Sequence, residues 1–309
     1  MIKTPSPQYR LELFFKNAQD LKLQAPFLRS HAQRIQGVNI TNKDKSDPLL
    51  EYVSILQQEI PSGIDICVHY SLKFRSVARV PHETLQHFVQ FLQKLETSTT
   101  LQGTKTNHTC SVLLVTGSGK RKFDSLALLQ ALAASSRRPP RPISTPIFVA
   151  FNPYLPTSDG QRKQEYERLQ AKLETGMVSG IYLQMGTDTD ALEQGLAYCH
   201  EVLNTSTIEI KIYGSVFIPN ASFLARWKFR PWAGVFLSTD YTQDGAQGAE
   251  EFNKSKLLPM YHANNVIPLI ESSVRREEEL TKAVEGLLVS ASAVASVRDH
   301  KLKTGSLLL

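Results

Sequence analysis

Apolar residues along this chain come in short bursts, separated by longer stretches in which apolar positions recur every three or four residues. Eight bursts rich in Val, Ile, Phe and Tyr read as strands: Tyr9–Lys16, Ile35–Thr41, Ile64–Ser71, Cys110–Gly117, Ile147–Pro153, Gly180–Met185, Glu209–Ile218 and Trp232–Ser238. Between them Leu85, Phe88, Val89 and Leu92 share one helical face, as do Leu126, Leu129 and Leu132. Leu169 and Leu173 carry the apolar stripe of the charged segment Gln161–Thr175, and Gly176 supplies its stop.

Strands separated by helical crossovers pair in parallel. Eight of them select a closed (β/α)8 TIM barrel, with an open doubly wound sheet as the alternative if one strand is misplaced. The expected barrel runs from about Tyr9 to Gly248 within a single domain spanning 1–309. A helical extension starts at about residue 249 and includes Val274–Val297. Thr97–Thr109 and Ser135–Thr145 read as surface connections, the second because its Arg-Arg-Pro-Pro-Arg-Pro run does not continue a helix.

Composition removes several classes. At 309 residues and 41% hydrophobic the chain is neither disordered nor too small for a large core. Three cysteines, Cys67, Cys110 and Cys199, sit far apart in apolar stretches and read as buried thiols in a reducing compartment. No apolar run reaches the length of about 18 residues that a membrane helix needs, and Met1–Arg10 has no leader-like apolar region. A cytoplasmic location is the expectation. The net charge of +6 is spread over short basic clusters without an aromatic-rich motif, which favours a solvated basic surface over nucleic-acid binding. Trp227, Phe229 and Trp232 read as a corner after the seventh strand or as a partner surface. A homo-oligomer stays open.

Alternation along the strands then sorts the polar residues. Leu11, Leu13 and Phe15 fall on the face toward the helices, which leaves Glu12, Asn39, Thr41, His69 and Ser71 pointing into the barrel. Buried polar groups without partners cost about 1–3 kcal/mol each, and barrel sites lie at the C-terminal strand ends. A polar ligand is therefore expected there. Glu12, among the neutral groups Asn39, Thr41 and His69, is expected to stay protonated and to serve as a general acid. The loop Thr116-Gly117-Ser118-Gly119-Lys120 suits an anionic or flat ligand, or is a plain strand-to-helix turn; it matches neither a Walker A loop nor GxGxxG. No metal-ligand spacing and no Gly-x-Ser-x-Gly elbow is present.

Several of these pieces, in order over roughly Arg10–Phe217, resemble the methylenetetrahydrofolate reductase family of FAD-dependent barrels. Leu11-Glu12-Leu13-Phe14-Phe15 is similar to that family's Phe-Glu-Phe-Phe-Pro-Pro. Val38-Asn39-Ile40-Thr41, Val68-His69-Tyr70-Ser71 and Val149-Ala150-Phe151-Asn152-Pro153 resemble its second, third and fifth strands. Leu169–Gly176 is similar to its Leu-x-x-Lys-x-x-x-Gly. The resemblance implies Glu12 as catalytic acid and Thr41, His69, Gly117, Ser118, Ala150, Asn152 and Lys172 as FAD contacts. It further implies Gln184 as a substrate contact, NADH or NADPH as electron donor, and a folate one-carbon carrier as substrate. Thr116-Gly117-Ser118 stands where the family has Arg-Gly-Asp, so a negative charge that tunes the flavin is missing. The regulatory domain of eukaryotic members is not expected. Two other readings remain: a non-catalytic relative that binds a ligand or protein partner, and a flavin-free enzyme using Glu12 and His69 as an acid/base pair.

Overall fold

The computed structural model describes residues 8–76, 81–98, 108–117, 123–136, 143–158, 160–204, 209–272 and 277–287. Its strands are β1 (Tyr9–Leu13), β2 (Ile35–Ile40), β3 (Asp65–Ser71), β4 (Cys110–Val115), β5 (Ile147–Phe151), β6 (Val178–Leu183), β7 (Lys211–Ile218) and β8 (Val266–Ser272). They close into one barrel in sequence order, and every pairing, including β8 with β1, is parallel.

The helices that cover it are α1 (Ala18–Lys22), α2 (Ala25–Ser30), α3 (Leu49–Glu59), α4 (Leu72–Arg75), α5 (Pro81–Ser98), α6 (Ser125–Ser136), α7 (Gln161–Glu174) and α8 (Thr189–Leu203). Local chemistry sets several ends. The Asp188 carboxylate accepts the Ala191 N–H at the start of α8, and Gly176, in the left-handed region at φ 70°, follows α7.

Seven strands lie where the apolar bursts place them, and the eighth does not. Trp232–Ser238 is loop, with an isolated bridge between Gly186 and Phe236 in place of a strand ladder, and is turned by Gly234 at φ 79°. After β7 the chain runs through α9 (Ala221–Trp227), α10 (Thr239–Thr242), α11 (Gly245–Phe252), a π-helical turn (Asn253–Leu257) and α12 (Leu258–Ala263) before β8 begins. The barrel thus ends near residue 272, and residues 249–263 belong to the crossover rather than to an extension. The true strand, Val-Ile-Pro-Leu-Ile-Glu-Ser, carries Pro268, which lacks the N–H a central strand needs. Pairing with β1 starts at Leu269, one residue beyond that proline, so the missing donor does not interrupt that ladder, while on the other side Pro268 stands opposite Gly214 of β7. Beyond β8, residues 277–287 are helical, within the expected Val274–Val297 helix; the rest of that helix lies outside the described residues, as do Ser118–Lys122.

Two apolar layers result. Leu11, Leu13, Val38, Ile40, Val68, Val112, Val149 and Ile181 face the helices. Inside the barrel, Cys67, Leu113, Phe148, Tyr182, Tyr213 and Leu269 form the floor, with the Tyr182 and Tyr213 rings stacked 4.5 Å apart. All three cysteines are free and buried. No helix among the described residues is long and apolar enough to cross a membrane.

Candidate active site

The alternation that puts Glu12 inside the barrel also puts Arg10 there, one layer deeper. Arg10 is 1% exposed, and its Nη1 lies 2.6 Å from Oδ2 of Asp65 at the start of β3. Its Nε donates to Asn39 Oδ1 at 3.0 Å, and the guanidinium sits 5.3 Å from the Tyr213 ring centre. Gly37 leaves the room: a Cβ at that position would overlap the guanidinium. Burial works against the Arg10 charge, but the Tyr182 and Asp65 side chains outweigh it and hold the group ionised.

Above this pair the polar column continues. Asn39 Oδ1 also accepts from the Tyr182 hydroxyl at 3.3 Å, and Asn39 Nδ2 lies 3.1 Å from His69 Nε2. His69 Nε2 is in turn 3.8 Å from Glu12 Oε2. Burial, followed by the charges of Arg10 and Lys43, lowers the imidazole to about 4, so His69 is neutral at pH 7. The inward reading of Glu12, Asn39 and His69 holds in the structure.

The surroundings of Glu12 differ from the expectation in one respect. Its register partner on β8 is Glu271, a second inward carboxyl that the misplaced eighth strand had hidden. Glu12 is raised well above the ordinary carboxylate range, first by desolvation and then by the Glu271 charge, against the pull of Lys43. Desolvation likewise pushes Glu271 up to about 7, with Ser215 opposing. Phe217, which pairs with Glu271 in register, supplies part of the dry wall; Met185, Phe223, Leu224 and Val235 pack with it. At the rim of this cluster Trp227 stacks on Phe223 and Trp232 meets both rings edge-on, with Trp232 half exposed and Phe229 pointing to solvent.

The remaining residues named from the sequence divide into groups. Thr41, one residue past β2, keeps a buried hydroxyl with no hydrogen-bond partner. Gly117 follows β4 with φ 79°, its Cα against Lys73 and Ser71. Asn152 and Gln184 meet across Gly234: Asn152 Nδ2 donates to the Gly234 carbonyl at 2.8 Å, and a Cβ at Gly234 would lie 4.0 Å from Gln184 Nε2. Ala150 shares the inward parity of Phe148 on β5. Lys172 is 4% exposed and donates to the Ala150 carbonyl at 3.0 Å, so its amino group holds β5 to α7. Burial lowers its pKa, with Glu165 opposing. Ser118 lies outside the described residues.

What these residues leave unmet is a hydrogen bond at Thr41. The Thr41 hydroxyl is orphaned just past β2 and the Ala150 side chain on β5 is small, whereas Gly117 is crowded: a Cβ there would lie 2.6 Å from Lys73 Cβ. The one cation that the resemblance assigns to the cofactor, Lys172, is already bonded within the fold. Of the positions that the resemblance assigns to FAD, Thr41 thus keeps an unmet hydrogen bond, while Asn152 and Lys172 are bonded within the fold.

No protein-family model matches the chain, and no curated protein matches it in sequence. Among solved structures it superposes on an uncharacterized protein from Clostridium thermocellum that binds two copies of 5-methyl-5,6,7,8-tetrahydrofolic acid. The TM-score is 0.59 at 12% identity, covering 95% of this chain and 96% of that one. It also superposes on the GH99 endo-alpha-mannosidase from Bacteriodes thetaiotaomicron, with a TM-score of 0.56 at 11% identity, covering 97% of this chain and 99% of that one. At these identities the likeness is one of fold. A folate binder and a glycosidase share it with this chain, so the fold leaves the chemistry to the site.

Proposed function

We propose that this protein is a flavin-dependent oxidoreductase of the methylenetetrahydrofolate reductase type, acting on a folate one-carbon carrier at the C-terminal mouth of the barrel. The observation that carries the reading is Glu12: an inward carboxyl, kept in its acid form by burial and by a neighbouring carboxyl. The sequence resemblance supports it, and so does the methyltetrahydrofolate bound by a protein of the same fold.

FAD, when bound, would supply the hydride, with NADH or NADPH as its source. The chain's own part is acid catalysis and orientation. Glu12 donates its proton to a substrate nitrogen: its O–H bond breaks, an N–H bond forms and a carboxylate remains. Neutral His69 lines the approach without neutralising that carboxylate, and Gln184 offers its amide to a pterin edge, while Asn152, bonded to the Gly234 carbonyl and the Tyr154 N–H, holds the loop beside it.

The test is reconstitution of the purified protein with FAD, followed by NADH or NADPH and then methylenetetrahydrofolate. The expected result is a yellow protein that the nicotinamide bleaches and the folate recolours. A protein that binds 5-methyltetrahydrofolate yet takes up no FAD is a binding relative, and the reductase reading is then wrong.

A further inference from the structure

Glu271 has no part in the resemblance and no assigned task, yet its position is the least ordinary in the barrel. It is paired with Glu12 across β8 and β1, and both side chains point inward. Neighbouring strands lie about 4.8 Å apart, so inward side chains at paired positions are in contact range.

The groups facing the pair do not neutralise two charges. From the segment after β2, Lys43 pulls on Glu12, but its ammonium donates to the Phe15 carbonyl at 3.0 Å and rests over the Phe14 and Phe15 rings. From β1, Arg10 is committed to Asp65 and Asn39. From β3, His69 is neutral, its Nε2 taken by the Asn39 amide. From the crossover, Tyr241 and Tyr261 turn their hydroxyls to the Phe217 and Ser215 carbonyls, at 2.7 and 2.9 Å. From β7, Ser215 is 2% exposed, and its hydroxyl lacks a partner at hydrogen-bonding geometry. Among the described residues no lysine or arginine forms an ion pair with either carboxyl. Glu12 keeps a quarter of its side-chain surface open to solvent, yet two like charges this close do not both ionise.

We propose that Glu12 and Glu271 hold one proton between them at neutral pH, as a carboxylic acid beside a carboxylate. Glu271 is then the positioning residue that keeps Glu12 in its donating form. This rests on the reading of Glu12 as the proton donor, but the pairing itself needs neither flavin nor folate. The buried, unpartnered Ser215 hydroxyl is placed to donate to whichever oxygen carries the charge.

The test is an infrared titration of the protonated-carboxyl band in the ligand-free, glutamate-labelled protein. In the unsubstituted protein the two protons should leave in steps separated by about two pH units or more. Glu271→Gln should lower the proton affinity of Glu12 at least tenfold. By reciprocity Glu12→Gln should do the same to Glu271, so either variant suffices if the other fails to fold. A merely structural Glu271 would change the melting temperature and leave the Glu12 titration where it was. Two carboxyls that titrate together in the ordinary carboxylate range, or a Glu12 step indifferent to Glu271→Gln, overturn the proposal. Failure to bind FAD removes the reductase reading and leaves the pair standing.

Discussion

Arg10 fixes the orientation of Asn39, and through it the protonation state of His69. A guanidinium has donors only, so the oxygen of the Asn39 amide must face Arg10 Nε, at 3.0 Å, and the nitrogen must face His69. An amide nitrogen has no lone pair to offer. His69 Nε2, 3.1 Å away, must therefore be the accepting, unprotonated nitrogen, which leaves the ring proton on Nδ1. A buried arginine at the barrel floor thereby keeps a histidine near the mouth neutral, with two carboxyls above it.

Asn39→Asp inverts that logic. A carboxylate accepts from Arg10 and from a protonated His69 alike, so the imidazole should rise from about 4 to above its ordinary 6.5. The His69 ring-proton resonance followed against pH by NMR reads the change. An unaltered midpoint would show that burial alone sets it.

Arg10→Met removes one half of the buried pair and strands Asp65 and the Asn39 oxygen. The cost should be about 3 kcal/mol, toward the low end for a broken buried pair because Asp65 keeps some contact with water. Adding Asp65→Leu should recover much of that loss. Urea unfolding of the two variants makes the comparison, and a double variant no more stable than the single one would show that the stranded Asp65 carries no such cost.

Glu12→Gln keeps the shape of the side chain and removes its transferable proton. Turnover of the folate should fall by about 10²–10⁴-fold, while flavin uptake and bleaching by NADH or NADPH survive. Steady-state and single-turnover absorbance measurements separate the two half-reactions. Full turnover by this variant would take the acid role from Glu12.

The stability of the fold should carry opposing pH signatures. Glu271 has a folded value of about 7 against an ordinary 4.5, so the folded state binds the extra proton and stability falls as pH rises between those values. His69, about 4 against 6.5, does the reverse: the folded state binds fewer protons, and stability rises with pH from 4 to 6.5. Each contribution is at most about 3 kcal/mol. Relative to the unsubstituted protein, Glu271→Gln should therefore gain stability toward pH 8, and His69→Gln should gain it toward pH 4. Thermal melts across that range check both signs.

Much of this was written in the alternation of β1, β2 and β3. Leu11 and Leu13 facing the helices force Glu12 inward, and the same parity reaches Asn39 and His69. Arg10 was equally legible, two residues before Glu12, but its place beneath the site depends on Asp65 and Gly37, which no local pattern links to it. Glu271 was not legible, because Pro268 disguises its strand while the apolar Trp232–Ser238 imitates one. Lys172 shows a different limit: a helix periodicity gives its helix, but only the packing of α7 on β5 shows that its ammonium is spent on the Ala150 carbonyl.

The junction of β8 with β1 brings together residues from nearly opposite ends of the described chain. A polypeptide emerging from synthesis would have Glu12 in place long before Glu271 exists, and would hold it as an ordinary exposed acid, already ionised in the cell's neutral water. Only docking of the final strand shuts out that water and presents the second carboxyl. Competence for proton transfer would therefore appear all at once, with the last seam of the cylinder, and half-made or unzipped barrels would be chemically silent.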